Sequence, residues 1–146
     1  MTRDLDRLLC ERYPLIFAER HRSTSESCMG WGITCEDGWF DLLDVLCERL
    51  QFWADHNGAP QIVAAQVKEK LGTLRFYPRT ASDEQWGMIR MAEAMSARIC
   101  EQCGRPGRTV VYGFRLMTRC PEHTPDGSRF ADVDSTPGGA PSLATS

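Results

Sequence analysis

Two short cysteine and histidine pairs near the C-terminal end of the chain have the spacing of metal ligands. Cys100 and Cys103 form a C-x-x-C pair, Cys120 and His123 form a C-x-x-H pair, and 16 residues separate the two. Four nitrogen and sulfur ligands can complete the tetrahedron that Zn²⁺ prefers in structural sites. A gap of two residues lets a tight turn direct both thiolates at one ion, and Gly104 supplies the backbone freedom that such a turn needs. The spacing therefore predicts a zinc site with these four ligands.

The segment between the two pairs has the pattern of a β-hairpin. Residues 108–113 (RTVVYG) and 114–118 (FRLMT) resemble two short strands, and their pairing would bring Cys120 alongside Cys103. Residues 100–123 are therefore predicted to form a zinc ribbon. Because four protein ligands leave no coordination position for water, the zinc is expected to be structural. The alternative is a set of ordinary buried thiols with an exposed histidine.

The rest of the chain offers few groups for catalysis. It has no phosphate-binding loop, nucleophile elbow or H-E-x-x-H motif. His21 and His56 stand apart from other reactive groups and are predicted to lie at the surface. Cys28 and Cys35 flank a polar loop, where they could react or bind a second metal, but buried or inert thiols fit better. We therefore expect no enzymatic activity.

Cysteine usage and hydropathy favour a reducing compartment. The chain has seven cysteines, an odd number, and three of them belong to the metal motif, which argues against a disulfide scaffold. No apolar run approaches the roughly 20 residues that a membrane helix needs, and the N-terminus lacks the apolar segment of a signal peptide. We expect a cytoplasmic protein without membrane association. The sequence assigns no role to Cys10 or Cys47.

A helix predicted over residues 37–55 carries an acidic stripe. Asp37 is the predicted N-cap, and the Asn57-Gly58 pair is a stop signal. Apolar residues at helical spacing are expected to face the core: Phe40, Leu43, Leu46, Cys47, Leu50 and Trp53. Carboxylates recur along another side at Asp37, Asp41, Asp44, Glu48 and Asp55. This stripe is a candidate partner-binding surface, and its alternative is an ordinary solvated helix face.

The N-terminal part of the chain is predicted to be a helix followed by a long loop. The helix covers residues 4–13 and ends before Pro14. Residues 21–38 form a polar, glycine-containing loop of unusual length, which is either an ordered loop or a contact surface. Met29 and Trp31 are expected to anchor this loop to the core.

A β-hairpin and a third helix complete the predicted domain. Residues 61–68 and 73–77 have the pattern of two strands joined by a glycine turn. Ser82 and Gln85 form a capping box that begins a helix over residues 83–98. One side of this helix is expected to carry Trp86, Ile89, Ala92 or Glu93, and Ser96.

The predicted architecture is a small α+β domain in which helices surround a two-stranded β-hairpin. This domain covers residues 1–99, and the zinc ribbon of residues 100–123 packs on it. Residues 124–146 are rich in Pro, Gly, Ser and Thr and poor in large apolar residues, so a disordered tail is predicted there.

Charge is unevenly distributed, and the two halves of the chain suggest different partners. Residues 1–60 hold 6 Lys and Arg against 11 Asp and Glu, whereas residues 61–123 hold 10 against 6. Candidates for phosphate contact are Arg105, Arg108, Arg115 and Arg119 on the ribbon, with Lys68, Lys70 and Arg75 on the hairpin. Four arginines, Zn²⁺, two glutamates and three thiolates leave the ribbon with a net charge of about +1, too little for strong nucleic-acid binding by itself.

Aromatic residues of the predicted strands could stack on nucleobases: Phe76, Tyr77, Tyr112 and Phe114. At strand positions such residues more often pack in the core. We therefore favour a protein partner over nucleic acid. A homodimer through the open edge of the hairpin is a further expectation.

Four segments together resemble a family of small proteins encoded by bacteriophages and prophages. In that family RYP, GDGWF, QVKEKFG-LRFY and C-x-x-CG recur in this order, and the corresponding segments here are residues 12–14, 36–40, 66–77 and 100–104. The chain departs from the pattern at Glu36 and Leu71, where the family has Gly and Phe. The resemblance covers roughly residues 11–123 and implies a phage setting and a zinc site, but no particular reaction.

These observations favour a non-catalytic binding protein. The phage setting suggests an inhibitor of a host nucleic-acid-targeting defence complex, similar in role to an anti-CRISPR protein, acting in the cytoplasm of the bacterial host. The acidic stripe would mimic a nucleic-acid backbone and dock in a basic groove of a host protein or nucleoprotein complex. The alternative is a zinc-ribbon nucleic-acid-binding accessory or regulatory protein.

Overall fold

The structure is a computed structural model that describes residues 1–131. This part of the chain forms three α-helices and two small antiparallel sheets: α1 (Arg3–Arg12), α2 (Phe40–His56), β1 (Ala64–Lys70), β2 (Thr73–Pro78), α3 (Asp83–Ser96), β3 (Arg108–Tyr112), β4 (Arg115–Arg119) and β5 (Arg129–Phe130). Strands β1 and β2 form one sheet, and the other has the order β4-β3-β5. The arrangement confirms the predicted α+β class. None of the helices in the described part has the length and apolar composition needed to cross a bilayer.

One hydrophobic core lies between the helices and the β1–β2 sheet. Its largest fully buried apolar side chains are Trp39, Phe76, Leu9, Ile16, Met29, Leu43, Leu50, Ile62, Leu74 and Ile89. Four of the six core positions predicted for α2 are buried: Leu43, Leu46, Cys47 and Leu50. Phe40 and Trp53 are half-buried. Each large apolar side chain that leaves water contributes about 1.5–3 kcal/mol, so this core is the main source of stability.

Helix α2 begins three residues later than the predicted start. Asp37–Trp39 forms a 3₁₀ turn, and the α-helix starts at Phe40. The Asp37 carboxylate does not cap α2, because its Oδ1 accepts a hydrogen bond from the backbone N–H of Thr2 at 2.6 Å. The N-cap prediction for Asp37 was wrong, because a partner distant in sequence binds its carboxylate.

The β1–β2 hairpin has the glycine turn that its sequence predicts, but the turn is two residues long, because β1 extends to Lys70. Leu71 and Gly72 form the turn, and their φ angles of +54° and +79° correspond to a type I′ geometry. Glycine adopts such angles readily, whereas leucine does so with strain. The inner face of the hairpin carries Val67, Leu74 and Phe76, all fully buried.

Both edges of the β1–β2 sheet are occupied by other parts of the chain. Beside β1, Thr34 exchanges two backbone hydrogen bonds with the strand, at 3.0 and 2.9 Å. Beside β2, the side chains of Ser96 and Glu93 on α3 accept the N–H groups of Leu74 and Phe76, at 2.8 and 3.1 Å. Because these edge positions already have partners within the chain, they do not support the homodimer expected through an open hairpin edge.

The capping box at the start of α3 is confirmed. The Ser82 hydroxyl accepts the N–H of Gln85 at 3.3 Å, and the Gln85 side chain accepts the N–H of Ser82 at 2.9 Å. The helix ends at Ser96, two residues before the predicted end. Ile89 and Ser96 are buried as expected, whereas Trp86 is 36% exposed, because Gln85 is the buried residue of the first turn.

Buried carboxylates fix the loop that joins α1 to α2. Asp6 on α1 accepts hydrogen bonds from the Arg20 guanidinium at 2.9 and 2.6 Å. Glu19 accepts from the Arg79 guanidinium at 2.7 Å and from the Ser27 hydroxyl at 2.7 Å. The loop is thus tied to α1 and to the end of the β1–β2 hairpin, which agrees with an ordered loop.

Of the two predicted anchors of this loop, one faces the core. Met29 is fully buried, whereas Trp31 is 71% exposed. Both lie in a single 3₁₀ turn, Cys28–Trp31. Residues two positions apart in such a turn point to different sides, so the burial of Met29 directs Trp31 outward.

The second sheet contains a strand that the sequence analysis did not predict. Strands β3 and β4 pair antiparallel, as expected, and β5 pairs with the other side of β3. Residues 124–131 therefore form a turn and a short strand, although a disordered tail was predicted from residue 124. A strand of two residues is too short to give a periodic signal, so composition alone decided that prediction. The rest of the predicted tail, residues 132–146, lies outside the described residues.

Candidate functional site

The four predicted metal ligands come from two turns that face each other. Cys100 and Cys103 lie in a tight loop after α3, where the N–H of Gly104 donates to the carbonyl of Cys100 at 2.8 Å. Gly104 has the positive φ, +76°, that the turn requires. Cys120 directly follows β4, and the next 3₁₀ turn, Pro121–His123, returns the histidine toward it. The β3–β4 hairpin thus brings the second pair beside the first.

The ligand atoms are spaced as in a tetrahedral site. The Sγ atoms of Cys100, Cys103 and Cys120 and a ring nitrogen of His123 all lie within 4.8 Å of one another. The sulfurs of Cys103 and Cys120 are 3.7 Å apart, and Nδ1 of His123 lies 3.3 Å from Cys120 Sγ and 3.6 Å from Cys100 Sγ. Zinc bonds of about 2.3 Å to sulfur and about 2.1 Å to nitrogen would give edges of roughly 3.8 and 3.6 Å. The spacing and the donor set therefore fit a zinc ion.

Two of the thiols lie in contrasting surroundings. Cys103 is exposed, and the backbone N–H of Arg105 donates to its sulfur, which lowers the pKa of the thiol to about 6. Cys100 is buried, and burial raises the pKa of its thiol. The thiolate is the form that binds metal, so Cys103 is suited to do so at neutral pH, whereas Cys100 must release a proton on binding.

The knuckle, defined as residues 99–104, packs closely against the turn that precedes α2. The N–H of Gly38 donates to the carbonyl of Glu101 at 2.7 Å, and the indole N–H of Trp39 donates to the carbonyl of Ile99 at 2.9 Å. A Cβ atom built at Gly38 would lie 2.5 Å from the carbonyl oxygen of Glu101, so only glycine fits there. The knuckle is therefore in direct contact with the turn that precedes α2.

Two of the four arginines predicted to contact phosphate are used within the fold. Arg119 is half-buried and bridges Glu36 at 2.6 Å and Glu101 at 3.2 Å, which joins β4 to the turn before α2. Arg105 donates to the carboxylate of Glu122 at 2.6 Å beside the metal ligands. These two arginines hold the knuckle in place, so they are poorly placed to bind a ligand.

The other two predicted arginines lie at the surface of the β3–β4 hairpin. Arg108 and Arg115 are exposed and form no ion pair within residues 1–131. The Arg108 guanidinium lies 5.7 Å from the centre of the Phe130 ring, within the range of a cation–π contact.

The aromatic candidates for base stacking divide in the same way. Phe76 is fully buried in the core, and Tyr77 is 37% exposed, with the Lys68 ammonium over its ring. Tyr112 and Phe114 are exposed on the ribbon. Phe130, which is 69% exposed, was missed because it falls in the predicted tail.

Two of the five carboxylates in the predicted acidic stripe are bound by residues outside α2, whereas Glu48 and Asp55 have partners on the helix itself, Arg49 at 2.9 Å and Gln51 at 2.9 Å. Asp37 binds the backbone of Thr2, and Asp44 accepts from the Tyr13 hydroxyl at 2.9 Å and pairs with Arg12 at 2.9 Å. The remaining three are exposed along α2: Asp41, Glu48 and Asp55.

The other cysteines lie apart from the metal ligands. Burial raises the pKa of Cys35 to about 12 and that of Cys10 to about 11, and it also raises the pKa of Cys47. Cys28 is exposed. Within residues 1–131 these thiols join no second cluster of Cys, His and carboxylate groups. The buried Cys35 and Cys47 and the half-buried Cys10 fit the inert role.

Protein-family models, curated proteins and solved structures give no match to this chain. The resemblance to a phage-encoded family therefore stays a prediction.

Proposed function

We propose that this chain is a non-catalytic binding protein, which a structural zinc ion holds together and which contacts a protein partner through helix α2. The observation that carries the proposal is a solvent-facing row on α2, which we call the α2 stripe: Asp41, Val45, Glu48, Phe52 and Asp55. Its carboxylates and apolar side chains alternate along one side of the helix.

The spacing of the α2 stripe gives one continuous surface. Its members recur at intervals of four and three residues, which places them above one another on the helix. Val45 is 58% exposed and Phe52 is 42% exposed. A binding surface combines apolar contact with a charged rim, and the α2 stripe has both.

The chemistry of the α2 stripe suggests a partner with a basic groove and an apolar floor. Its carboxylates would steer the approach of such a partner, and Phe52 and Val45 would supply buried apolar area. Arg49 pairs with Glu48 at 2.9 Å and lies over the Phe52 ring at 4.9 Å, so it moderates the negative charge at the centre.

The identity of the partner class rests on the resemblance to phage proteins. We propose a phage-type inhibitor that acts in the bacterial cytoplasm on a host complex that targets nucleic acids. A groove that normally holds a nucleic-acid backbone would offer the basic surface that the α2 stripe requires.

A zinc ion in this protein would have a structural role. Cys100, Cys103, Cys120 and His123 would fill all four positions of a tetrahedral ion and leave none for substrate or water. The ion would hold the knuckle against Gly38, and through that contact it would help to position the first turn of α2.

A charge-reversal pair tests the α2 stripe. The Glu48→Lys/Asp55→Lys variant should lose capture of the partner from lysate of a bacterial host, because both changes put a cation where the partner is basic. Both positions are exposed, so circular dichroism should show an unchanged fold.

The matched control is the Glu11→Lys/Asp126→Lys variant, which makes the same change in net charge at exposed positions outside α2. It should capture the partner as the unmodified protein does. If the stripe variant and the control capture the same proteins in equal amounts, the α2 stripe is not the binding surface.

A further inference from the structure

We propose that the outer face of the β4-β3-β5 sheet binds single-stranded nucleic acid, with bases stacked on Tyr112 and Phe130 and phosphates held by Arg108 and Arg115. This face is formed by β3, β4 and β5, whereas the α2 stripe belongs to another element, so the inference does not rest on the proposed protein partner.

Strand register places the four side chains on one face. In antiparallel pairs, directly opposed residues project to the same side of the sheet. Tyr112 is opposite Arg115, and Val110, two positions before Tyr112, is opposite Phe130. Arg108 lies a further two positions back, so it shares this side.

The other face of the sheet is directed toward the β1–β2 hairpin. Thr118 and Thr109 project to that side, and the Thr118 hydroxyl donates to the carbonyl of Gly72 in the hairpin turn at 2.7 Å. The face with the arginines and aromatic rings is consequently the outer one. Arg108, Tyr112, Arg115 and Phe130 are exposed on it, whereas Val110 at its centre is buried and Arg119 at one end is half-buried.

Charge on this sheet is of one sign. Strands β3, β4 and β5 contain arginines at 108, 115, 119 and 129 and no acidic residue. Arg119 is engaged by Glu36 and Glu101, whereas Arg108 and Arg115 form no ion pair with any residue of the described part, and Arg108 lies beside the Phe130 ring. This complements a phosphate backbone and disfavours a cationic or purely apolar partner.

The aromatic side chains are exposed to a degree that packing within the described residues does not explain. Tyr112 is 47% exposed, Phe130 is 69% exposed, and Phe114 at the β3–β4 turn is fully exposed. The diagonal position of Phe130 relative to Tyr112 puts their strand positions roughly 7–8 Å apart. Successive unstacked bases can use such rings as platforms, because every base has a π face.

A cleft beside Phe130 provides space for one nucleotide. Its volume is about 490 Å³, and Pro106, Arg108, Arg119, Pro121 and Thr124 also line it. This size lies within the range of sites that hold small ligands. The apolar walls suit a base, and the Arg108 guanidinium at the rim suits the adjoining phosphate.

Single strands fit this surface better than a duplex does. A duplex keeps its bases stacked on each other, so the exposed rings would gain no partner. DNA and RNA single strands share the base and phosphate chemistry that the sheet recognises, and the experiment compares the two.

The test is fluorescence anisotropy of the zinc-loaded full-length protein with labelled oligonucleotides of about 12 nucleotides. This length lies within the site sizes of known single-strand binders. Oligo(dT), oligo(U) and a duplex of equal length are titrated at several salt concentrations. We expect binding to at least one single strand, weaker binding to the duplex, and a salt slope of about −1.4 for two phosphate contacts.

Substitutions on the face should lower the affinity for the single strand. Phe130→Ala and Tyr112→Ala should each weaken binding at least about fivefold, because each removes a stacked base. Phe130→Leu keeps apolar packing and loses the ring, so it should weaken binding without any effect on folding. Arg108→Ala should weaken binding and make the salt dependence less steep.

Trp31→Ala and Arg3→Ala are the matched controls, since they remove an exposed ring and an exposed cation elsewhere. Both should bind as the unmodified protein does. The proposal is overturned if no single strand binds at low salt, if the duplex binds equally well, or if Phe130→Leu and Arg108→Ala bind as tightly as the controls.

Discussion

At the scale of single residues, the loop between α1 and α2 depends on buried acidic groups with fixed partners. The Glu19 side chain is only 9% exposed, and the hydrogen bonds from Arg79, and next that from Ser27, lower the pKa of its carboxyl to about 2. Loss of Arg79 would leave the buried charge of Glu19 with only Ser27 and the more distant Arg22 to compensate it. The ionised form of Glu19 is therefore part of the folded structure.

This pairing predicts a pH dependence. The folded pKa of Glu19 lies below its ordinary value of 4.5, so its contribution to stability is fully present above about pH 4.5 and is lost as the pH falls toward about 2. The Glu19→Gln variant should be less stable than the unmodified protein at neutral pH, and the difference in Tm should shrink across that window. Thermal unfolding, monitored by circular dichroism at several pH values, measures this difference in Tm.

Glu11→Gln, at an exposed position on α1, is the control and should follow the unmodified protein at every pH. A difference in Tm between Glu19→Gln and the unmodified protein that stays constant down to about pH 2 would contradict the assignment.

Residue roles were predictable where the partners are close in sequence. The clustering of the four candidate metal ligands followed from two local pairs and one hairpin. The roles of Asp37 and Asp44 did not, because their partners, Thr2 and Tyr13, lie more than 30 residues away and no helical periodicity reveals them. A stripe drawn from spacing alone therefore overstated the charge that α2 presents to solvent.

At the scale of elements, the knuckle and the turn before α2 are packed closely enough at Gly38 to exclude a side chain. Gly38 leaves no room for a Cβ against the backbone of the knuckle, and rigid backbone atoms on both sides cannot move apart cheaply. The backbone contact at Gly38 and the bond from the Trp39 indole to Ile99 join the candidate metal site to the turn before the longest helix.

Gly38→Ala should therefore destabilise the protein by about 2 kcal/mol or more through steric overlap. It should also make a chelator remove zinc more readily, because the knuckle must shift to accept the methyl group. Thermal unfolding and a chelator competition with a colorimetric zinc indicator measure the two effects.

Gly87→Ala is the matched control, since Gly87 lies in α3 with no atom close to the position of the new Cβ. It should raise stability by up to about 1 kcal/mol through better helix propensity and leave zinc retention unchanged. Equal Tm values for Gly38→Ala and the unmodified protein would refute the packing argument.

Helices and hairpins were predictable from periodicity and turn residues, as the Ser82 capping box and the Leu71-Gly72 turn show. Strand β5 and the closure of the β2 edge by Ser96 and Glu93 were not. Both depend on contacts between segments that the chain brings together only after folding, and neither leaves a local pattern.

At the scale of the whole molecule, the hydrophobic core and the ribbon are coupled. The core contains α1, α2, α3 and the β1–β2 sheet, and the ribbon meets it through the knuckle and through the bond from Thr118 to Gly72. A metal that folds the ribbon would thus add to the stability of the entire described part.

Removal of the metal should lower the Tm of the whole protein by about 10 °C or more, since binding energy of a structural zinc is folding energy. Calorimetry before and after treatment with a chelator should show one transition that shifts, and Cys120→Ser should behave as the chelated protein does. Elemental analysis should find zinc in the untreated protein.

Cys28→Ser is the control for loss of a thiol, because Cys28 is exposed and lies outside the cluster. It should keep both the zinc and the Tm. A protein purified without chelator that contains no zinc, or a chelated protein with an unchanged Tm, would show that the four side chains do not form a structural metal site.

The α+β class followed from the order of periodic segments, but the surfaces offered to partners did not. Whether Val45, Phe52 and Phe130 are exposed depends on which side of each helix or strand packs against the core. Sequence patterns predicted that side only approximately. The two proposed binding faces could be separated only once the register of the second sheet was known.

The bond from the Trp39 indole to the knuckle gives the protein an internal optical reporter. Trp39 has no exposed surface, whereas Trp31 is 71% exposed. The chain also contains Trp53, which is half-buried, and Trp86, which is 36% exposed. A variant in which Trp31, Trp53 and Trp86 are replaced by Phe would therefore emit from Trp39 alone. A shift of that emission to longer wavelength would report the moment at which the knuckle leaves Gly38.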